Sequence, residues 1–206
     1  LVVAKDEFFR HFALSEESGQ IMSYAKAFRT RDTLRCTVFQ PEIGNIAYYA
    51  QPQPDGTSRI SKATLAAGDW KHAETLRGLE GDQTQNYPFM LTDGITMYYG
   101  AINNEDGLGG YDIYTTRWDS DKKMFLQPEN IGMPFNSTAN DYMLAIDELN
   151  QLGWFATDRR QGADSVCIYV FIPNAIRRNW RDVSNIDNET LARMALISSI
   201  AETQID

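Results

Sequence analysis

Few residues in this chain are of the types that do chemistry, and their spacing restricts what they could do. The two histidines, His11 and His72, lie in unrelated contexts. A serine nucleophile would have to recruit one of them as its base, and neither stands beside a G-x-S-x-G turn. Carboxylate pairs occur at Glu105-Asp106 and Asp147-Glu148, but an acidic chain supplies such pairs by composition alone, so they do not point to glycoside hydrolysis. The oxygens of Asn103, Asn104, Glu105, Asp106 and Asp112 could surround a cation. Their spacing departs from the calcium loop D-x-[DN]-x-[DN]-G and no bidentate Glu stands at its twelfth position, so calcium is not expected there. Gly107-Leu108-Gly109-Gly110 has the wrong spacing for a phosphate-binding loop. Cys36 and Cys167, 131 residues apart, form no CxxC or Cys/His cluster, which argues against zinc. Each lies in a β-prone run, so buried free thiols are expected rather than a disulfide. The residues predict no catalytic site, no metal and no cofactor.

The elements that carry these residues come next. The chain has 206 residues, 43% hydrophobic and 12% aromatic, enough for a substantial core. Its net charge of −9, from 28 acids and 19 bases, argues against a duplex nucleic-acid binder. Basic spots at Arg159-Arg160 and at Arg177, Arg178 and Arg181 read as solvated loop charge. No apolar window is long enough to span a membrane. The opening "LVVAKDEFF" has no initiator Met, basic n-region or cleavage site, and reads as a trimmed product.

The strongest pattern is repetition. "GNIAYYAQ", "GITMYYGA" and "LGWFATD" place aromatic pairs at Tyr48-Tyr49, Tyr98-Tyr99 and Trp154-Phe155, with steps of 50 and 56. Downstream, "SRISKAT", "YDIYTTR" and "VCIYVFI" centre on Ile60, Ile113 and Ile168, with steps of 53 and 55. Trp70 echoes Phe125, and Tyr87 echoes Tyr142, each at 55. The unit is a strand a, a turn, a strand b, a long polar loop, a strand c and a strand d. Four short strands at this period predict an all-β chain of propeller blades. The expected boundaries are an N-terminal segment 1–35 with a short helix and a partial blade, then blades at 36–86, 87–140 and 141–173, the last extending to 187. A helix over 188–202, capped by Asn188, closes the chain. Propellers close with about four to eight blades, so three blades predict a fragment of a longer protein.

Within the second unit, Asp93-Gly94 is a hairpin cue. Gly107, Gly109 and Gly110 stand where the b–c loop re-enters strand c, and are expected to supply a positive φ or a bulge. Asp112, Ile113 and Tyr114 follow. A carboxylate inside a strand needs donors, and the nearest are backbone N–H groups of the tight loop. Asp112 is therefore expected to brace its own blade.

These residues, "YPFMLTDGITMYY…GLGGYDIYTTRW…PENIGMPFNSTANDYM…GWFATDRRQGADSVCIYVF", resemble the TolB-like, WD-repeat-like β-propeller repeat of Gram-negative envelope proteins. The second unit fits throughout. The first has Glu42-Ile43-Gly44 and Arg59-Ile60-Ser61 in place of the motif, and the third has Asp147-Glu148 and Cys167-Ile168-Tyr169. The resemblance covers about residues 36–173. It implies an extracytoplasmic protein, in the periplasm or associated with the outer membrane, that makes protein–protein contacts and has no chemistry of its own.

In an a-up, b-down, c-up, d-down blade the b–c and d–a loops share one end. That end is expected to bind a partner through Asn103, Glu105, Asp106, Asp158, Arg159 and Arg160. The alternative is a carbohydrate- or peptidoglycan-binding propeller related to glycoside hydrolases, since Thr92–Thr96, "TDGIT", is similar to the turn box of sialidase blades. That reading needs exposed aromatics on the loop face, whereas most aromatics here fall inside strands.

Overall fold

The computed structural model describes residues 1–173 apart from 33, 35, 72, 73 and 104. The expected helix over 188–202, and any extension of the third unit to 187, lie outside the described residues. Strand β1 (Val2–Ala4) leads to a 3-10 turn (Phe8–His11), β2 (Gln20–Ser23), α1 (Tyr24–Phe28) and β3 (Thr37–Gln40). Next come β4 (Ile46–Pro52), β5 (Ser58–Ala66), β6 (Asp69–Trp70), β7 (Glu74–Thr75), β8 (Thr84–Met90) and β9 (Thr96–Ile102). The remainder are β10 (Asp112–Asp119), β11 (Met124–Phe125), β12 (Glu129–Asn130), β13 (Asp141–Asp147), β14 (Leu152–Thr157) and β15 (Ser165–Phe171). The described residues are thus all-β, with one five-residue α-helix, and none of their helices is long and apolar enough to cross a membrane.

The strands form three antiparallel sheets. The first runs β2-β3-β4-β5-β6 with β7 also on β5; the second runs β8-β9-β10-β11 with β12 also on β10; the third runs β13-β14-β15-β1. In each unit strands a, b and c are a meander; the b–c connection is the longer one in the second and third units, whereas in the first 41–45 and 53–57 are equal in length. The Asp93-Gly94 turn shows how the a–b connection is made. Asp93 Oδ1 accepts from the Ile95 and Thr96 N–H groups, both at 2.8 Å, and Gly94 takes φ +65. Gly44 takes φ +69 in the matching turn of the first sheet.

Period-two alternation makes both faces of each sheet apolar. Phe39, on one face of β3, meets Phe89 of β8 with centroids 4.8 Å apart, joining the first sheet to the second. Tyr87 of β8 and Tyr142 of β13, which the repeat treats as equivalents, meet at 5.5 Å and join the second sheet to the third. Register irregularities in both strands, beside these tyrosines, help turn the two rings toward each other. Tyr111 and Phe8 complete this cluster.

The repeated isoleucines show how the outer edges of the c strands are satisfied. Ile60 N–H donates to Gln85 Oε1 (2.9 Å), and Leu76 N–H donates to the Ile60 carbonyl (2.9 Å). Ile113 N–H donates to Asn136 Oδ1 (2.7 Å), while Asn136 Nδ2 donates to the Ile113 carbonyl (2.8 Å). The third sheet has no such linker before residue 173. There the Leu1 nitrogen donates to the Ile168 carbonyl (3.0 Å) and Ile168 N–H returns a bond to Leu1 (2.7 Å).

The described residues of 1–35 contribute strands to two sheets. β1 edges the third sheet, and β2 edges the first. Between them, Phe8, Phe9 and Phe12 are buried, the first two on the 3-10 turn and Phe12 just after it, so the expected short helix is here a 3-10 turn. Phe12 stacks on Trp154, on the face of the third sheet opposite Phe155. α1 and the residues after it lie on the far face of the first sheet, with Met22, Val38, Ala47, Tyr49 and Ala63. The first and third sheets share no strand, and the described sheets are not closed into a ring.

Asp147 ties the 5–18 strap to the third sheet. It is fully buried and accepts from Ser15 N–H (2.7 Å), Ser15 Oγ (3.0 Å), Asn150 N–H (3.0 Å) and Asn150 Nδ2 (2.9 Å). Burial works to raise its pKa, but these bonds outweigh it and hold the carboxyl at about 2. In the unfolded chain it titrates near ~3.9. The ionised carboxylate thus contributes its full stability above that value, and the contribution is lost as pH falls toward 2. Asp147→Ala is expected to cost about 1–3 kcal/mol in denaturant unfolding. The gap between parent and variant should narrow as pH is lowered from about 5 to 2, and amide exchange should rise first in residues 12–18. A gap that stays constant with pH would mean that the carboxylate does not anchor the strap.

Candidate functional site at the loop end of the sheets

The three b–c connections, 53–57, 103–111 and 158–164, come to one end of the molecule. Hydrogen bonds set this alignment. Ser58, at the start of β5, takes its N–H to Thr84 Oγ1 (3.0 Å) at the start of β8, where Thr84 pairs with Ile102 at the end of β9. Tyr111 N–H donates to Asn140 Oδ1 (3.0 Å), and Asn140 N–H donates to Asp158 Oδ1 (2.8 Å) just past β14.

Buried polar groups fix this end. Asp82 accepts from Tyr99 Oη (2.8 Å), Asn103 Nδ2 (3.1 Å) and Gln85 Nε2 (3.1 Å). Burial raises its pKa in spite of these donors. Asp112 is fully buried and accepts from Leu108 N–H, as expected of a bracing carboxylate. Burial raises its pKa too, with Asp141 and Asp106 adding repulsion. Its Oδ1 has no protein partner among the described residues.

The glycines act differently from the expectation. None of Gly107, Gly109 and Gly110 has a positive φ. A side chain at Gly109 would strike the Ala139 carbonyl at 2.5 Å, and one at Gly110 would strike Asn140. Gly109 and Gly110 are small so that the 137–140 connection to the third sheet can lie directly on this loop, while a side chain at Gly107 would strike the Asn103 carbonyl of the loop itself.

The six predicted binding residues divide. Glu105 and Arg160 are exposed. Asp106 is exposed but holds Tyr114 Oη (2.7 Å). Asn103 is committed to Asp82 through its amide and to Glu105 N–H (2.8 Å) through its oxygen. Asp158 accepts from Tyr142 Oη (2.6 Å) and from Asn140 Nδ2 (2.8 Å). Burial opposes its ionisation, but these bonds and the Lys5 charge outweigh it and lower its pKa. Arg159 is a clamp. It pairs with the fully buried Asp141 (3.0 Å), donates to Ser137 Oγ (2.8 Å) and to the Pro134 and Phe135 carbonyls, and lies over the Phe155 ring. Reading it as free loop charge was wrong, because the buried Asp141 needs a cation.

Sequence reasoning missed a hollow of about 410 Å³ lined by Arg59, Thr75, Leu76, Arg77, Leu79 and Glu80. It opens beside the linker from the first sheet to the second, where Arg59 donates to the Gln83 carbonyl (2.9 Å). Among the described residues no group of three or more His, Cys, Asp or Glu side chains is placed to hold a metal. His11 is exposed on the 3-10 turn, and His72 lies outside the described residues. Both cysteines are free, Cys167 buried and Cys36 only partly so, just before β3. Burial pushes the Cys36 thiol up to about 12.

The site thus belongs to an all-β chain of three stacked antiparallel sheets whose polar loops share one end. No family model, curated protein or solved structure matches the chain.

Arg159→Ala leaves Asp141 buried without its cation. It is expected to cost about 3–5 kcal/mol in denaturant unfolding, and adding Asp141→Asn should restore part of that loss. A cost near zero would return Arg159 to the set of residues open to a partner.

Proposed function

We propose that this chain is a non-enzymatic, propeller-type module of the cell envelope, acting outside the cytoplasm and mediating protein–protein interaction or scaffolding. Three features support the reading. Units of about 50–55 residues form successive meandering sheets, as blades do. The sheets stack in chain order through β8 and β13. The motif residues Asp93, Gly94 and Asp112 have the turn and bracing roles that a TolB-like repeat would ask of them.

The observation that carries the interaction reading is the loop end. Its frame is immobilised by buried carboxylates and amides, and only a few charged side chains project from it. A rigid frame presenting variable polar loops suits recognition, because little ordering entropy is lost on binding. The projecting charges, Glu105 and Asp106 against Arg160, are mixed in sign. That favours a protein partner of complementary pattern over a polyanion.

Glu105→Lys and Arg160→Glu test this directly, since neither side chain supports the fold. Each variant is expected to keep the parent's unfolding midpoint and to lose the envelope proteins that cross-link to, and co-purify with, the parent chain. Recovery of the same partners in the same yield with both variants would end the loop-end reading.

A further inference from the structure

A second hollow, of about 280 Å³, lies on the far face of the first sheet. Four aromatic rings from three separate elements line it. Tyr24 and Phe28 are one turn apart on α1, so both point from the same side of the helix. Tyr49 comes from β4 and Trp70 from β6. The rings touch in series: Tyr24–Phe28 at 4.6 Å, Phe28–Tyr49 at 5.0 Å and Phe28–Trp70 at 5.3 Å. Tyr24, Phe28 and Trp70 keep part of their surface in solvent.

Polar groups of several kinds complete the lining: the Gln51 amide, the Asp32 carboxylate, the Thr30 hydroxyl and the Lys71 ammonium. The Gln51 oxygen is occupied by Ser61 Oγ (3.1 Å), which leaves the amide nitrogen as its donor end. Asp32 Oδ1 is used by Leu34 N–H (3.2 Å), and its other oxygen takes no bond from the described residues.

We infer that this hollow binds a carbohydrate, one sugar ring of an oligosaccharide stacking on the aromatic wall. A pyranose presents polarised C–H groups on its faces and hydroxyls around its rim. An aromatic face is negative and attracts the first, while amide, carboxylate and ammonium groups satisfy the second. Two competitors fit less well. A quaternary ammonium needs rings standing apart around an interior, whereas here Phe28 sits between Tyr49 and Trp70 in edge-on contact with both. An apolar peptide side chain needs an aliphatic pocket, and Ala63 is the one aliphatic residue in the lining. The inference does not rest on the loop-end reading, which concerns other residues.

The test is two-dimensional NMR of the labelled full chain, titrated separately with chitotriose, cellotriose and, as the peptide control, tri-alanine. Either sugar is expected to shift the Trp70 indole signal and the amides around Tyr24–Asp32 and Gln51 in a saturable way. Trp70→Ala should weaken that binding about tenfold or more. Trp70→Phe, which keeps the packing against Phe28, should bind with intermediate strength and guards against a loss that is only misfolding. Glu105→Lys should bind sugar as the parent does, whatever its effect on protein partners. No saturable shift with either sugar, shifts confined to other surfaces, or a larger response to tri-alanine would each overturn the proposal.

Discussion

A short β-sheet with two apolar faces must be covered on both of them, and the rest of this structure follows from that requirement. The middle sheet is covered by its neighbours, through Phe39 against Phe89 on one side and Tyr142 against Tyr87 on the other. The outer faces of the end sheets have no further sheet among the described residues. Residues 1–35 supply both covers. The 5–18 strap puts Phe12 on Trp154 of the third sheet, and α1 puts Tyr24, Ala27 and Phe28 on the first. Without these covers, Trp154 at one end and Val38, Ala47 and Tyr49 at the other would meet water, at about 25 cal/mol for each Å² exposed.

The same economy governs polar groups. Strand edges that would be left open are closed by side chains that follow in the chain, Gln85 of β8 on Ile60 and Asn136 of the β12–β13 connection on Ile113, and in the third sheet by the β1 edge, with Leu1 on Ile168. The carboxylates of Asp82, Asp112 and Asp141 are buried at the loop end at an electrostatic cost, visible as raised pKa values. Each is held by donors from the loops it organises. The outcome is a stiff end with few free groups and, on a separate face, a half-open aromatic wall. These two surfaces differ in chemistry: exposed charges on a frame of buried carboxylates for one, partly exposed aromatic rings beside polar groups for the other.

Parts of this were readable beforehand. Alternation and the recurrent spacing of Ile60, Ile113 and Ile168 located the c strands, because β periodicity is local. The Asp93-Gly94 turn followed from glycine's access to φ > 0, and the bracing role of Asp112 followed from the need of a buried carboxylate for donors. The candidate site was readable only in outline. Asp158 and Arg159 stand in a loop and look solvent-facing in sequence. Their partners, Tyr142 and Asp141, are in another strand, and no local rule pairs them. Gly109 and Gly110 looked like turn residues, whereas their size is set by Ala139 and Asn140 of the following connection. The aromatic hollow was invisible for the same reason, since Tyr24, Tyr49 and Trp70 are distant in the chain.

Sequence alone determined the strand-forming runs, their repetition and the tight turns, because backbone preference and residue type act over a few neighbours. Tertiary structure alone decided that the first 35 residues would be divided between two sheets, that Leu1 would complete the edge beside Ile168, and which charges would be consumed internally. Those outcomes depend on which surfaces are left uncovered once the sheets have stacked, and that is a property of the assembled faces rather than of any one segment.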